Sequence, residues 1–235
     1  MKLITWFIRP RTIWCPTLAG WALILGVMLA PFITWWLRGE SLLCLTQRES
    51  SDILVVEGWI GPETIEAAAA EFAQGGYRWV ITTGGLNAER WNHNRWTYAE
   101  IAHDRLVIAG IPHEKIIMAP CTEVEIQRTR ESALAAKQKL KELGLKPSAI
   151  NVFTLGAHAR RSQLVYANIF KPTIKVGVIS WLPPGAQTEP WWHSSTRAKS
   201  LLTETIGYAY EAMLDSGRGT TPKPVSLNPS SASAQ

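Results

Sequence analysis

The chain has 235 residues, 46% of them hydrophobic, with a formal charge of +5 at pH 7. Once a membrane-length apolar segment and a polar tail are set aside, one domain of ordinary size remains. The positive charge is scattered, as at Lys137, Lys139, Lys141 and Lys146, without the interleaved aromatic residues that stack on bases, so nucleic acid is not an expected partner.

No charged residue lies between Arg11 and Arg38, and Thr17–Leu37 spans 21 residues. As a helix that is roughly 31 Å, enough to cross a bilayer. Trp14 and Trp21 toward one end and Trp35 and Trp36 at the other read as interfacial belts, and Pro31 is tolerable inside a membrane helix. A cleaved signal peptide is the competing reading. The run ends in Met28-Leu29-Ala30-Pro31, without the small-x-small cleavage pattern, and Leu42-Leu43-Cys44 lacks the small residue of a lipoprotein site, so an uncleaved anchor is expected. Lys2, Arg9 and Arg11 precede it and only Arg38 follows closely. That bias puts residues 1–16 in the cytoplasm and the domain outside, in an inner or plasma membrane. Residues 38–50 read as a linker. Cys15, Cys44 and Cys121 are too few to pair fully, and a Cys44–Cys121 disulfide is open but not demanded by the spacing.

The domain, 51–215, starts with Asp52–Glu57, a continuous apolar run closed by Gly58. Pro62–Gln74 follows as a helix, with proline at a first helical position. Trp79–Thr83 is a second strand ending in Gly84-Gly85. Leu86–Arg95 is a polar loop, long for its place, and reads as a lid or as a solvated excursion. Thr97–Ala109 is then a helix, Lys115–Ala119 a strand and Glu125–Leu143 a helix stopped by Gly144.

In Asn151–Phe170 the period changes in mid-course. Ile150–Leu155 is a buried strand, Gly156 breaks it, and Leu164, Val165, Ile169 and Phe170 recur at helical spacing. His158, Arg160 and Arg161 therefore fall in the turn or the first helical turn. Cations there oppose the partial positive charge of the free N–H groups, unless a bound anion or nearby carboxylates compensate. Lys175–Ile179 is a fifth strand, Trp181–Trp192 a Pro/Trp-rich connection and Thr196–Leu214 a last helix; 216–235 reads as a disordered tail.

Uniformly apolar strands alternating with helices predict a Rossmann-like α/β domain, a three-layer parallel sheet preceded by a single transmembrane helix. Ligands of such sheets bind outside the carboxyl ends of the strands. Gly58, Gly84-Gly85 and Gly156–His158 would share that edge.

Over roughly Asp52–Ile179 the chain resembles the bacterial DUF218, or YdcF-like, family of SanA/ElyC-type envelope proteins. The resemblance rests on VVEG at the first strand, TTGG at Thr82–Gly85, GIP at Gly110–Pro112, T-x-E at Thr129 and Glu131, and T-x-x-x-H-x-x-R at Thr154, His158 and Arg161. It implies a Rossmann-like fold, one amino-terminal membrane helix and an envelope role. It also implies a pocket lined by Gly58, Gly84, Gly85, Thr129, Glu131, His158 and Arg161. The family's usual arginine, glutamate and asparagine are replaced near Glu63, Tyr98 and Ser132.

The leading expectation is an anionic, phosphorylated or lipid-linked ligand. Arg161 would contact it, Gly84-Gly85 would cradle it, His158 would act as acid or base and Glu131 would orient His158 or Arg161. The alternative is a non-enzymatic membrane-tethered binding or assembly module with a vestigial pocket. No Walker, G-x-S-x-G or G-x-G-x-x-G sequence and no metal-spaced His/Asp cluster is present, so no cofactor or metal is expected.

Overall fold

The computed structural model describes residues 15–87, 95–121, 127–186 and 188–214. The chain divides into two compact units, Met1–Gly39 and Glu40–Gln235. The first contributes most of helix α1 (Leu18–Leu43), which is long and apolar enough to cross a membrane. Large apolar residues along it, Trp21, Leu25 and Leu29 among them, are exposed.

The second unit is built on five strands: β1 (Ile53–Glu57), β2 (Trp79–Gly84), β3 (Ile116–Pro120), β4 (Ala149–Leu155) and β5 (Lys175–Trp181). All pairings are parallel and the order is β3-β2-β1-β4-β5. Five helices accompany them: α2 (Pro62–Gln74), α3 (Tyr98–Ile108), α4 (Arg128–Glu142), α5 (Ala159–Phe170) and α6 (Ser195–Leu214).

Period-2 alternation splits the core in two. Leu54 and Val56 of β1 pack with Ile65, Ala68 and Phe72 of α2 and Ala102 and Leu106 of α3. Ile53 and Val55 point the other way, to Ala133 and Ala136 of α4 and Tyr166 and Phe170 of α5. Three layers result, the expected Rossmann-like α/β architecture. The helix starts follow local chemistry. Pro62 occupies the first turn of α2, and Thr97 caps α3 in a reciprocal box, its hydroxyl accepting from Glu100 N at 3.2 Å while its own N–H donates to Glu100 Oε2 at 2.7 Å.

The expected linker is a correction. Helix α1 runs on to Leu43, which is buried, and residues 40–50 belong to the second unit. Gln47 makes a two-way backbone bridge with Val178 of β5. The carboxamide of Asn151 accepts from Glu49 N and donates to Glu49 O, both at 2.8 Å. A β-carbon on Gly177 would stand 2.0 Å from Asn151 Oδ1 and 2.7 Å from Gln47 O, so glycine at that position lets the chain lie against β5. Glu40 receives a forked pair of bonds from Arg197 Nη2, at 2.6 and 2.8 Å, and a third from Nε at 3.1 Å. The composition of 38–50 does not announce this, because its partners are more than 100 residues away.

Gly58 shows where the fold is least forgiving. A β-carbon there would lie 2.1 Å from Tyr98 O, 2.6 Å from Tyr98 C and 2.8 Å from Thr83 O, all backbone atoms that cannot swing aside. Gly58→Ala is therefore expected to cost about 3 kcal/mol. A drop in the melting temperature of the full chain in detergent of less than a degree or two would contradict this packing.

Candidate functional site

The order of the sheet reverses between β1 and β4, and in α/β sheets the crevice at that point, beyond the carboxyl ends of the strands, is where ligands enter. Along β1, Ile53, Val55 and Glu57 point to the α4/α5 side, so a carboxylate ends an otherwise apolar row. Val56 lies opposite Phe153, and the next residue of β4 is Thr154. Thr154 donates its hydroxyl to Glu57 Oε2 at 2.5 Å, and Ser162, on the first turns of α5, donates to Oε1 at 3.0 Å. Burying an acid this deeply is tolerable only with such donors. Thr83, opposite Glu57 in register, reaches the hydroxyl of the fully buried Tyr166 at 3.4 Å. Burial, helped by the charge of Glu57, pushes that phenol well above its ordinary range.

His158 ends the tight turn Gly156–His158 between β4 and α5, and the turn begins at Gly156 with φ of 52°. Its imidazole has a different partner on each side. Nδ1 is 3.0 Å from Glu204 Oε1, and Nε2 is 3.5 Å from both Glu57 Oε2 and Thr129 Oγ1. The indole of Trp59 meets the ring edge-on at 4.8 Å. Arg161 holds the same carboxylate, Nε to Oε2 at 2.7 Å and Nη2 to Oε1 at 3.0 Å. Arg161 Nη2 is also 3.0 Å from Nδ1. Two N–H groups cannot share a bond, so the carboxylate assigns the proton: Nδ1–H donates to Glu204, and the arginine contact is proximity only. Nε2 is then the nitrogen that faces Glu57 and Thr129.

Burial alone would raise the Glu204 carboxyl, but bonds from His158 and Arg161 outweigh it and hold it at about 2. Burial likewise opposes the Arg161 charge, and the bonds to Glu204 more than restore it. Both shifts describe one mutual stabilisation.

The predicted site residues divide accordingly. His158, Arg161 and Thr129 converge. Glu131 does not take the orienting place expected of it; it accepts from Arg130 Nη1 at 3.1 Å, and Glu204 of α6 stands where it was expected. The glycines are also used differently. Gly84, at φ of 137°, would bring a β-carbon to 2.6 Å from Tyr98 Cβ, and Gly85 O accepts from Tyr98 N at 2.8 Å. With Gly58, Gly84 admits the first turn of α3 against the strand ends, where the backbone and Cβ of Tyr98 stand. The basic turn is compensated by carboxylates, and Arg160 is spent on Leu42 O at 3.0 Å and on the ring of Tyr208. Residues 88–94 of the expected lid lie outside the described residues, as do the first residues expected of α4.

Two members of this cluster, Glu57, the acid of VVEG, and Glu204, which lies in no motif, were not among the expected site residues. An acid closing an apolar strand is the signal for the first. For the second it is an acid three residues after Leu201 on the buried stripe of α6. The cysteines all carry free thiols. Burial and the charge of Glu40 push that of Cys44 up to about 12, and burial raises that of Cys121, so neither is poised as a nucleophile. Among the described residues no group of three or more metal-ligating side chains comes together. Compared with known proteins, the chain matches no family model and no curated protein to significance.

The Glu204 contacts set a pH dependence. Its carboxyl titrates at about 2 in the folded chain against an ordinary 4.5. The stabilisation is thus whole above about pH 4.5 and is lost as pH falls toward 2. Its full size is roughly 3 kcal/mol. Glu204→Gln should lower the melting temperature at neutral pH, and the gap to the parent protein should shrink to less than half on acidification to about pH 3. Parallel melting curves for the two proteins across that range would refute the assignment.

Proposed function

We propose that this is a membrane-anchored envelope protein whose domain lies outside the cytoplasm and acts on, or binds, an anionic ligand such as a phosphorylated, lipid-linked cell-wall intermediate. The observation that carries the proposal is the imidazole of His158 at the switch point of the sheet, its Nδ1 fixed by Glu204 and its Nε2 turned to Thr129 and Glu57. An oriented imidazole with one nitrogen bound to a carboxylate and the other facing a hydroxyl is equipped to take and return a proton. Arg128, Thr129 and Arg130 open α4 beside it, and the pair with Glu204 uses Nε and Nη2 of Arg161, leaving Nη1 outside it. The start of α4 and Nη1 of Arg161 are what an anion would meet, Arg130 being paired with Glu131. Support for the envelope comes from the resemblance to DUF218 proteins. The anchor and its orientation rest on the long apolar helix and the charge bias around it.

One observation favours a second reading, the non-enzymatic membrane-tethered binding or assembly module. Arg160 and Arg161 are both spent on internal partners, and the backbone and Cβ of Tyr98 stand against Gly58 and Gly84, as in a pocket that has lost its chemistry.

Two measurements decide between these. A carboxyl-terminal alkaline phosphatase fusion should be active, and an inactive one reverses the orientation. The full chain in detergent should bind a short isoprenyl phosphate in calorimetry and convert it. His158→Gln should keep the binding and lose at least about a hundredfold in turnover. Binding without turnover in either protein leaves the assembly module, and absence of binding removes the anion pocket.

A further inference from the structure

Helix α6 presents two faces. Leu201 and Glu204 are buried against the domain, where Glu204 reaches His158. On the opposite side Leu202, Ile206, Tyr210 and Met213 recur at intervals of three and four residues, so they form one stripe. They are 52%, 72%, 51% and 74% exposed. A surface helix ordinarily turns charged and polar residues outward. A contiguous apolar row of this length amounts to several hundred Å², the size at which exposed patches mark interfaces.

We infer that this stripe of α6 is a membrane-docking surface, lying on the headgroup region of the bilayer that holds the anchor helix. It rests on the anchor reading above, and three observations single out lipid as the occupant. The first is position. Arg197, in the first turn of α6, is locked to Glu40 by bonds of 2.6, 2.8 and 3.1 Å, and its Nη1 donates to Glu189 O at 3.0 Å. Glu40 is three residues beyond Leu37, the last apolar residue before Arg38, so chain length alone keeps it within about 11 Å of the end of the membrane segment. The amino end of α6 is therefore held at the point where the chain leaves the lipid. A patch tethered there meets the bilayer as an intramolecular partner, at an effective concentration that a second molecule in solution does not reach.

The second observation is composition. Trp192, 43% exposed and just before α6, and Tyr210 on the stripe are the aromatic types that settle at membrane–water interfaces. Lys199 is exposed on the same face, three residues before Leu202, where its stem can run along lipid while the ammonium stays at the headgroups. The third is the lack of an occupant in the following segment. Residues 215–235 are rich in Ser and Pro, with Val225 and Leu227 their only large aliphatic residues, and offer no matching apolar face.

Docking of this kind has a consequence for the site. The stripe and Glu204 are on opposite sides of one helix, so lipid on one side would lie about a helix diameter, some 10 Å, from the carboxylate that orients His158.

The test places a photoreactive benzoylphenylalanine in the full chain, one position at a time. The protein is reconstituted in vesicles of phosphatidylethanolamine with a minority of phosphatidylglycerol, irradiated and analysed by mass spectrometry. The positions are Ile206 on the stripe, Leu29 in the anchor helix and Gln138 on the exposed face of α4. The first two are more than two-fifths exposed and Gln138 is exposed, so folding is not at issue. Phospholipid adducts at 206 and 29 with none at 138 are the expected result. Lipid at 29 with a second copy of the chain attached at 206, or with no adduct at 206, overturns the docking surface while leaving the anchor standing. No lipid at either 29 or 206 removes the anchor, and the docking surface with it.

Discussion

One carboxylate ties the last helix to the rest of the domain. Glu204 accepts from His158 and from two nitrogens of Arg161, and those two residues sit at the start of α5, directly after the turn that leaves β4. The contact is mutually dependent: a buried acid, a half-buried arginine and a buried imidazole each lose solvation, and only together do they recover it. Through it the position of α6 sets which nitrogen of His158 carries the proton. An ion pair that looks structural thereby fixes which way the imidazole presents its two nitrogens.

On the far side of that ring the environment differs. Glu57 is held by hydroxyls of Thr154 and Ser162 rather than by a cation, in the row where the apolar core of the α4/α5 face gives way to polar residues. The two carboxylates thus flank one imidazole in unlike settings, Glu204 fixed by an ion pair and Glu57 by neutral donors. Such asymmetry is what separates an orienting group from one that can join a proton transfer. It arises from strand register, since Glu57 follows Val56, which faces Phe153, and so comes level with Thr154.

The segment that leaves helix α1 is equally committed. Asn151 is an amide in the middle of a central strand, a costly choice unless every group on it is bonded. It spends them on the backbone of Glu49 and on Tyr77, and Gly177 beside it leaves room for the incoming chain. Residues 40–50 are therefore built into the domain as an additional edge. Together with the Glu40–Arg197 pair, this fixes the amino end of α6 and the carboxyl end of α1 to each other.

Element types were legible from the amino acids alone because they depend on neighbours in the chain. The runs at Ile53–Glu57 and Ala149–Leu155 are apolar on both faces, which suits only a covered parallel strand. The period change at Gly156 marks a strand-to-helix turn, and the uncharged stretch before Arg38 is of bilayer length. Gly58, Gly84-Gly85 and His158 were visible as members of one edge because parallel strands put all their carboxyl ends on the same side, whereas Thr129 was expected there only from the family resemblance. The partners were not visible. Glu204 is 43 residues from Arg161, and Arg197 is 157 from Glu40, and nothing local distinguishes those acids and bases from solvated ones. Strand order and the placement of α6 decided which charges meet. Whether a glycine leaves its backbone open or admits a neighbour, as Gly58 and Gly84 admit Tyr98, depends on what packs above it, and only the tertiary structure determines that.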